Sequence, residues 1–158
     1  MPQSTVFLIG LSGPAAAGKT TLPHILTHIF CPHVSLILHG DDFCKEFDQI
    51  PTVNGYLDAD GPAGVDFMRM GEVLDYVKVQ GTTPEGFNSW QADVFPGQDT
   101  RALRMMDSNM LEDLREQVRA SRVFEDEVEG KRLVIVEGFL LYNIPDIRKR
   151  LDTRLFVK

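Results

Sequence analysis

The chain has 158 residues, a formal net charge of −7, 43% hydrophobic and 25% charged residues, an ordinary balance for a globular protein. That length suits one domain around one buried core, so residues 1–158 are expected to form a single domain. No run reaches the roughly 20 apolar residues that span a bilayer, the first five residues lack a leader's basic region and long apolar stretch, and no long basic run is present to meet nucleic-acid phosphates.

Residues 5–11 are nearly all apolar, which predicts a central parallel strand buried on both faces. A glycine-rich loop follows, then an amphipathic helix over about residues 19–30 with Leu22, Ile25, Leu26 and Ile29 on one side. Pro23 falls in its first turn and is expected to be tolerated. Residues 34–38 predict a second buried strand, ending at His39-Gly40-Asp41-Asp42-Phe43. Residues 44–61 read as irregular, with turns at Asn54-Gly55 and Asp60-Gly61-Pro62. Residues 62–80 read as a helix with Phe67, Met70, Leu74 and Val77 on one face, and 81–100 as a surface loop in which Trp90 and Phe95 are expected to pack locally rather than touch a ligand. Leu103, Met106, Met110, Leu114 and Val118 make another helical stripe, and the acidic run 125–129 is expected to be a solvated face or a helix end. Residues 133–139 predict a third strand, about 145–151 a short helix, and 154–157 a fourth strand. Arg148-Lys149-Arg150 is expected to be a solvated helix end. Strands alternating with helices imply an α/β fold, a three-layer α/β/α sandwich with a parallel sheet and its ligand site at the strands' carboxyl ends.

The chemistry begins at Gly13-Pro14-Ala15-Ala16-Ala17-Gly18-Lys19-Thr20, which fits the P-loop pattern G-x-x-x-x-G-K-[ST] between a strand and a helix. Gly13 and Gly18 let the backbone turn its N–H groups inward, Lys19 brings a cation to the β- and γ-phosphates, and the Thr20 hydroxyl can ligate Mg²⁺. The helix N-terminus adds favourable partial charge. This local device works in an acidic protein, because it uses backbone donors and not net charge.

Glu137, at the end of the third strand, occupies a Walker-B-like position and can hold Mg²⁺; its plainer reading is an ordinary strand-end carboxylate. Asp41 or Asp42 can accept a proton from an attacking hydroxyl, or merely close the strand with an Asx turn. Asp60 can grip two sugar hydroxyls, or cap a helix before Pro62. His24, His28, His33 and His39 lack metal-ligand spacing and read as surface or packing residues, with no acidic partner evident beside His24 and His28. Cys31 and Cys44 form no CxxC pair, so reduced thiols and a cytoplasmic location are expected.

Taken together these segments resemble the nicotinamide riboside kinases, especially the fungal type, within the uridine-kinase-like P-loop kinases. The resemblance is carried by Gly10 through Leu22, Asp41-Asp42-Phe43 with Lys45, Ile50-Pro51, Asp58 through Pro62 with Asp66, and Val134 through Asn143. It implies ATP-dependent phosphorylation of the ribose 5′-hydroxyl of nicotinamide riboside, with Mg²⁺. Asp41 would be the general base and, with Asp60 and Tyr56, would bind the nucleoside. Lys19 would stabilise the transferred phosphoryl group, residues Gly13 through Thr21 would hold the nucleotide, and Thr20 with Glu137 would position the metal. A small nucleoside is the expected partner, with neither nucleic acid nor membrane. A uridine-type or other small-metabolite kinase, and a nucleotide-binding relative without turnover, stand as the alternatives.

The chain departs from the family's pattern in places. Ala59 stands where an aromatic usually precedes the ribose-binding aspartate, a lost stacking surface of about 1–3 kcal/mol if base-stacking magnitudes transfer. Cys44 replaces a frequent aromatic after Asp-Asp-Phe, and Gly61 through Gly64 lack the acid usual after Asp60. The family's Lys/Arg-rich lid lies beyond the fourth strand, so the chain is expected to be a shortened member without those arginines.

Overall fold

A computed structural model describes residues 5–89, 106–121, 128 and 130–158. The expectations for Trp90, Phe95, Leu103 and most of the acidic run at 125–129 lie outside the described residues. Four parallel strands form the sheet: β1 (Thr5–Ser12), β2 (Val34–His39), β5 (Lys131–Gly138) and β6 (Thr153–Phe156), in the order β2-β5-β1-β6. Alternation along each strand sends side chains to two separate cores. Val6, Leu8, Val134 and Val136 meet Met70, Leu74 and Val77 of helix α2 (Phe67–Gln80) on one face. Leu11, Leu133 and Ile135 meet Leu22, Leu26 and Phe30 at helix α1 (Thr21–Ile29) on the other. Helix α3 (Ser108–Arg119) packs outside α1, and the short α4 (Pro145–Arg148) beside α2. The expected three-layer α/β/α sandwich is therefore the observed one.

The elements differ from expectation where local chemistry outvotes periodicity. Helix α2 begins at Phe67, not at residue 62, because the Asp66 carboxylate accepts from Arg69 N at 2.9 Å and caps it. Pro62–Gly64 is a separate 3₁₀ turn. Residues 44–61 are less irregular than expected: β3 (Thr52–Val53) and β4 (Tyr56–Leu57) make an antiparallel hairpin. Its turn residues Asn54 and Gly55 have φ of 51° and 83°, the left-handed pair that a two-residue hairpin demands.

In α1 the fully buried residues are Pro23, His24, Thr27 and Ile29, while Leu22 and Leu26 of the expected stripe pack half-buried against the core. Pro23 is its third residue and stays within the first turn, where a missing N–H is tolerated. Leu111 is the buried residue of α3, while Met110 and Leu114 stay exposed. Helix α3 brings Glu112 to 3.9 Å from His28, an acidic neighbour invisible in local sequence. Arg150 is not a bare solvated end; its guanidinium makes two 2.8 Å bonds to the Asp75 carboxylate of α2.

Strand β6 is fastened to β1 by more than its ladder. The Tyr142 hydroxyl sits 2.6 Å from the Gly10 carbonyl and 2.7 Å from that of Leu155, its single proton shared between them. A Cβ at Gly10 would crowd the tip of the Leu151 side chain and lie 3.2 Å from the Tyr142 ring, so glycine gives the tyrosine room here. Tyr142→Phe removes the donor and keeps the ring. It should lower the unfolding free energy by about 1–2 kcal/mol, read from urea unfolding with an unchanged m-value.

Candidate active site

The carboxyl ends of the strands surround a cleft of ≈ 1130 Å³. Its lining includes Gly13, Pro14, Ala15, Ala16, Lys19 and Thr20 from the loop between β1 and α1, with Asp41, Asp60 and Glu137. The phosphate-loop segment, Asp41, Asp60 and Glu137, four separate stretches of chain, thus converge at the edge where open α/β sheets bind ligands. Ala17, Gly18 and Thr21 complete the loop without lining the cleft, and Tyr56 is 80% exposed on the β3–β4 hairpin, outside the lining.

The loop's two glycines do different things. Gly18 has φ of 83° and turns the chain into the helix; Leu22 N then bonds its carbonyl at 3.0 Å. At Gly13 a Cβ would overlap the carbonyl of Val157, so this glycine admits the end of β6, whose Val157 N donates to Ser12 O at 2.8 Å. Ala16 adopts φ of 60° at the loop's crest, a conformation that costs a residue with a Cβ about 1 kcal/mol or more. The Lys19 ammonium donates to the Pro14 carbonyl at 2.6 Å and so lies over its own loop.

Glu137 is 3% exposed and Cα-paired with His39 across the β2–β5 ladder. The His39 Nδ1 and Glu137 Oε1 are 2.9 Å apart, and because a carboxylate accepts, the imidazole donates. Gly40 lets the two strand ends approach; a Cβ on it would lie 3.0 Å from the Glu137 carbonyl. His39, expected only to pack, is the group that sequence reasoning missed. The signal is its place at a strand end beside Asp41, but that becomes informative only once β5 is known to neighbour β2.

Asp41 belongs to the 3₁₀ turn Gly40–Phe43, as does the buried Asp42. The Asp60 segment is stitched to this turn. Cys44 bridges Val65, Lys45 N donates to Gly64 O at 2.9 Å, the Lys45 ammonium donates to Ala63 O at 3.0 Å, and Asp66 N donates to Phe43 O at 2.8 Å. Asp60 caps no helix; Asp66 does. Burial first, and then the charges of Asp41, Asp42 and Asp60, push the Cys44 thiol upward, a sign of how closely the carboxylates gather.

Partial desolvation raises the Asp41 carboxyl above its ordinary value, and Glu137 and Asp42 raise it further against the opposing pull of His39 and Lys19. The residues also suit magnesium. No group of three or more His, Cys, Asp or Glu among the described residues could cage a metal. A Mg²⁺ that keeps its waters and shares nucleotide phosphates needs only one or two hard protein oxygens, which Thr20 and Glu137 offer on one cleft.

A parallel sheet, a glycine-rich phosphate loop between β1 and α1, and acidic residues at the carboxyl edge define the class: an α/β fold of the P-loop kinase type. The curated proteins that the chain resembles are fungal nicotinamide riboside kinases. That of Saccharomyces cerevisiae is 26% identical over 169 residues, covering 100% of this chain and 62% of its own length. That of Schizosaccharomyces pombe is 29% identical over 160 residues, covering 99% and 62%, and that of Eremothecium gossypii 25% identical over 153 residues, covering 96% and 58%. The chain therefore spans about three fifths of the length of these relatives. No protein-family model matches it.

The raised Asp41 pKa has a consequence for stability. The folded state holds this proton more tightly than the unfolded chain does, so the ionised group opposes folding. The penalty is absent below the ordinary value of 3.8, grows as pH rises through the folded pKa, and is complete above it. Asp41→Asn should raise Tm at pH 7–8 and lose that advantage at about pH 3.5, as checked by thermal melts of both proteins across this range.

Proposed function

We propose that this protein is an ATP-dependent kinase that phosphorylates the ribose 5′-hydroxyl of nicotinamide riboside, yielding nicotinamide mononucleotide and ADP. The observation that carries the reading is the convergence of the P-loop, Asp41, Asp60 and Glu137 on one cleft. The names of the three fungal relatives supply the substrate class.

In this reading the backbone N–H groups of residues 15–20 cradle the phosphates, and the Lys19 ammonium leaves the Pro14 carbonyl to meet the γ-phosphoryl oxygens. Asp60 holds the ribose hydroxyls. Asp41 orients the 5′-hydroxyl and takes its proton as the oxygen attacks the γ-phosphorus and the bond to ADP breaks. Its raised pKa suits a base that must accept a proton near neutral pH. Magnesium, when bound, neutralises charge on the β- and γ-phosphoryl oxygens; Thr20 and Glu137 are the residues that would hold it. Tyr56 joins the nucleoside only if the β3–β4 hairpin folds inward, as its position outside the cleft lining requires. The exposed free thiols of Cys31 and Cys44 fit a reducing, cytoplasmic setting.

The test is direct. Incubated with ATP, Mg²⁺ and nicotinamide riboside, the protein should form the mononucleotide, separated by liquid chromatography. Asp41→Asn should cut kcat by about 10²–10⁴-fold, Lys19→Ala should abolish turnover, and Asp60→Ala should raise the nucleoside KM more than it lowers kcat. Preferential phosphorylation of uridine would move the assignment to another nucleoside kinase. ATP binding without phosphorylation of any nucleoside would reduce the protein to a nucleotide-binding relative.

A further inference from the structure

Phosphate loops are supported mainly by backbone, but the acidic residue at the end of β5 needs its side chain held. Glu137 is 3% exposed and lines the cleft. A carboxylate in so dry a position, with no donor to direct it, would either turn away or take up a proton. His39 meets that need from the neighbouring strand. Its ring is fully buried, its Cα is paired with that of Glu137, and its Nδ1 lies 2.9 Å from Oε1. Parallel pairing gives these two side chains the same face of the sheet, that of Ile37 and Ile135 two residues back along each strand. Gly40 follows His39 and Gly138 follows Glu137, and a Cβ on Gly40 would press on both the Glu137 carbonyl and Gly138 Cα. The backbone is therefore shaped to bring the ring and the carboxylate together.

We propose that His39 is a positioning residue for the metal–nucleotide site: it engages one Glu137 oxygen so that the other stays directed at the cation accompanying the nucleotide. This rests on the reading of Glu137 as the metal-side carboxylate. His39 touches no substrate and acts only through Glu137. Outer-shell partners of this kind commonly contribute about 10–100-fold to metal affinity.

The experiment uses Mn²⁺ as a paramagnetic substitute for Mg²⁺. Its affinity for the protein–ADP complex is measured by electron paramagnetic resonance, and ADP affinity without metal is measured separately in chelator. His39→Leu should weaken Mn²⁺ in the ternary complex about tenfold or more while leaving metal-free ADP binding unchanged. His39→Asn places an amide N–H near the position of Nδ1 and should restore most of the loss. His39→Gln, with its donor one bond further out, should not. Combined with Glu137→Gln, His39→Leu should add nothing further, because the residue through which it acts is already disabled.

If Glu137→Gln weakens Mn²⁺ but His39→Leu does not, the positioning role falls and the Glu137 assignment stands. If the two losses add in full, His39 acts elsewhere and the proposal is overturned. If Glu137→Gln leaves Mn²⁺ affinity untouched, the metal-side reading of Glu137 falls and His39's role falls with it. Loss of metal-free ADP binding in His39→Leu, with no recovery in His39→Asn, would mark a packing residue and also overturn the proposal.

Discussion

The insertion of β5 between β1 and β2 is the constraint on which the site depends. Strand β5 follows β2 by most of the chain's length, yet its register sets Glu137 beside Leu11 on one side and His39 on the other. Side chains alternate faces along a strand, so a slip of one residue would turn Glu137 away from His39 and exchange the two cores. The apolar residues prevent that slip. Val134 and Val136 belong with Leu8 and Leu74 on one face, and Leu133 and Ile135 with Leu11 and Leu26 on the other. The core thus holds a polar pair in register that contributes little net stability of its own, since burying an ionisable pair costs about as much as it returns.

The cleft accumulates features that oppose folding. Ala16 sits in a left-handed conformation, Asp41 is held near other carboxylates, and the His39–Glu137 pair is removed from water. Such concentrations are expected where a site is organised before its ligand arrives. The compensation lies in the sheet's two apolar faces and in ties remote from the cleft. The Asp152 carboxylate accepts from Leu8 N at 2.7 Å and from the Lys78 ammonium, while Arg150 grips Asp75, and together these fix α2 against the segment leading into β6.

Asp41 and Asp60 illustrate a second kind of organisation. Neither belongs to a long element, and each stands on a turn. Their relation is set by a short antiparallel contact at Cys44 and Val65 and by the Lys45 bonds to Ala63 and Gly64. The wall of the cleft is thereby joined to the strand end at β2 without a continuous sheet. Phe43 anchors it below, fully buried against Phe87 at a centroid distance of 5.7 Å, with the Arg69 guanidinium over both rings.

Local chemistry determined a great deal. The apolar runs of β1, β2 and β5, the Gly13-to-Thr20 loop and the apolar face of α2 are written in residues close together in the chain, and they are legible for that reason. The Asn54-Gly55 turn was equally visible, although its strands were too short to announce the hairpin around it. Other features required the third dimension. Asp66 displaced Asp60 as a helix cap because a hydrogen bond, not the proximity of a proline, decides where a helix starts. Leu111 replaced Met110 and Leu114 as the buried residue of α3, because that helix packs against α1. Glu137 could be recognised alone as an acid ending a strand, but its imidazole partner lies 98 residues away. Sequence specifies each strand through its own side chains; strand order follows from how the connected chain closes its core, and only that order made His39 a neighbour of Glu137.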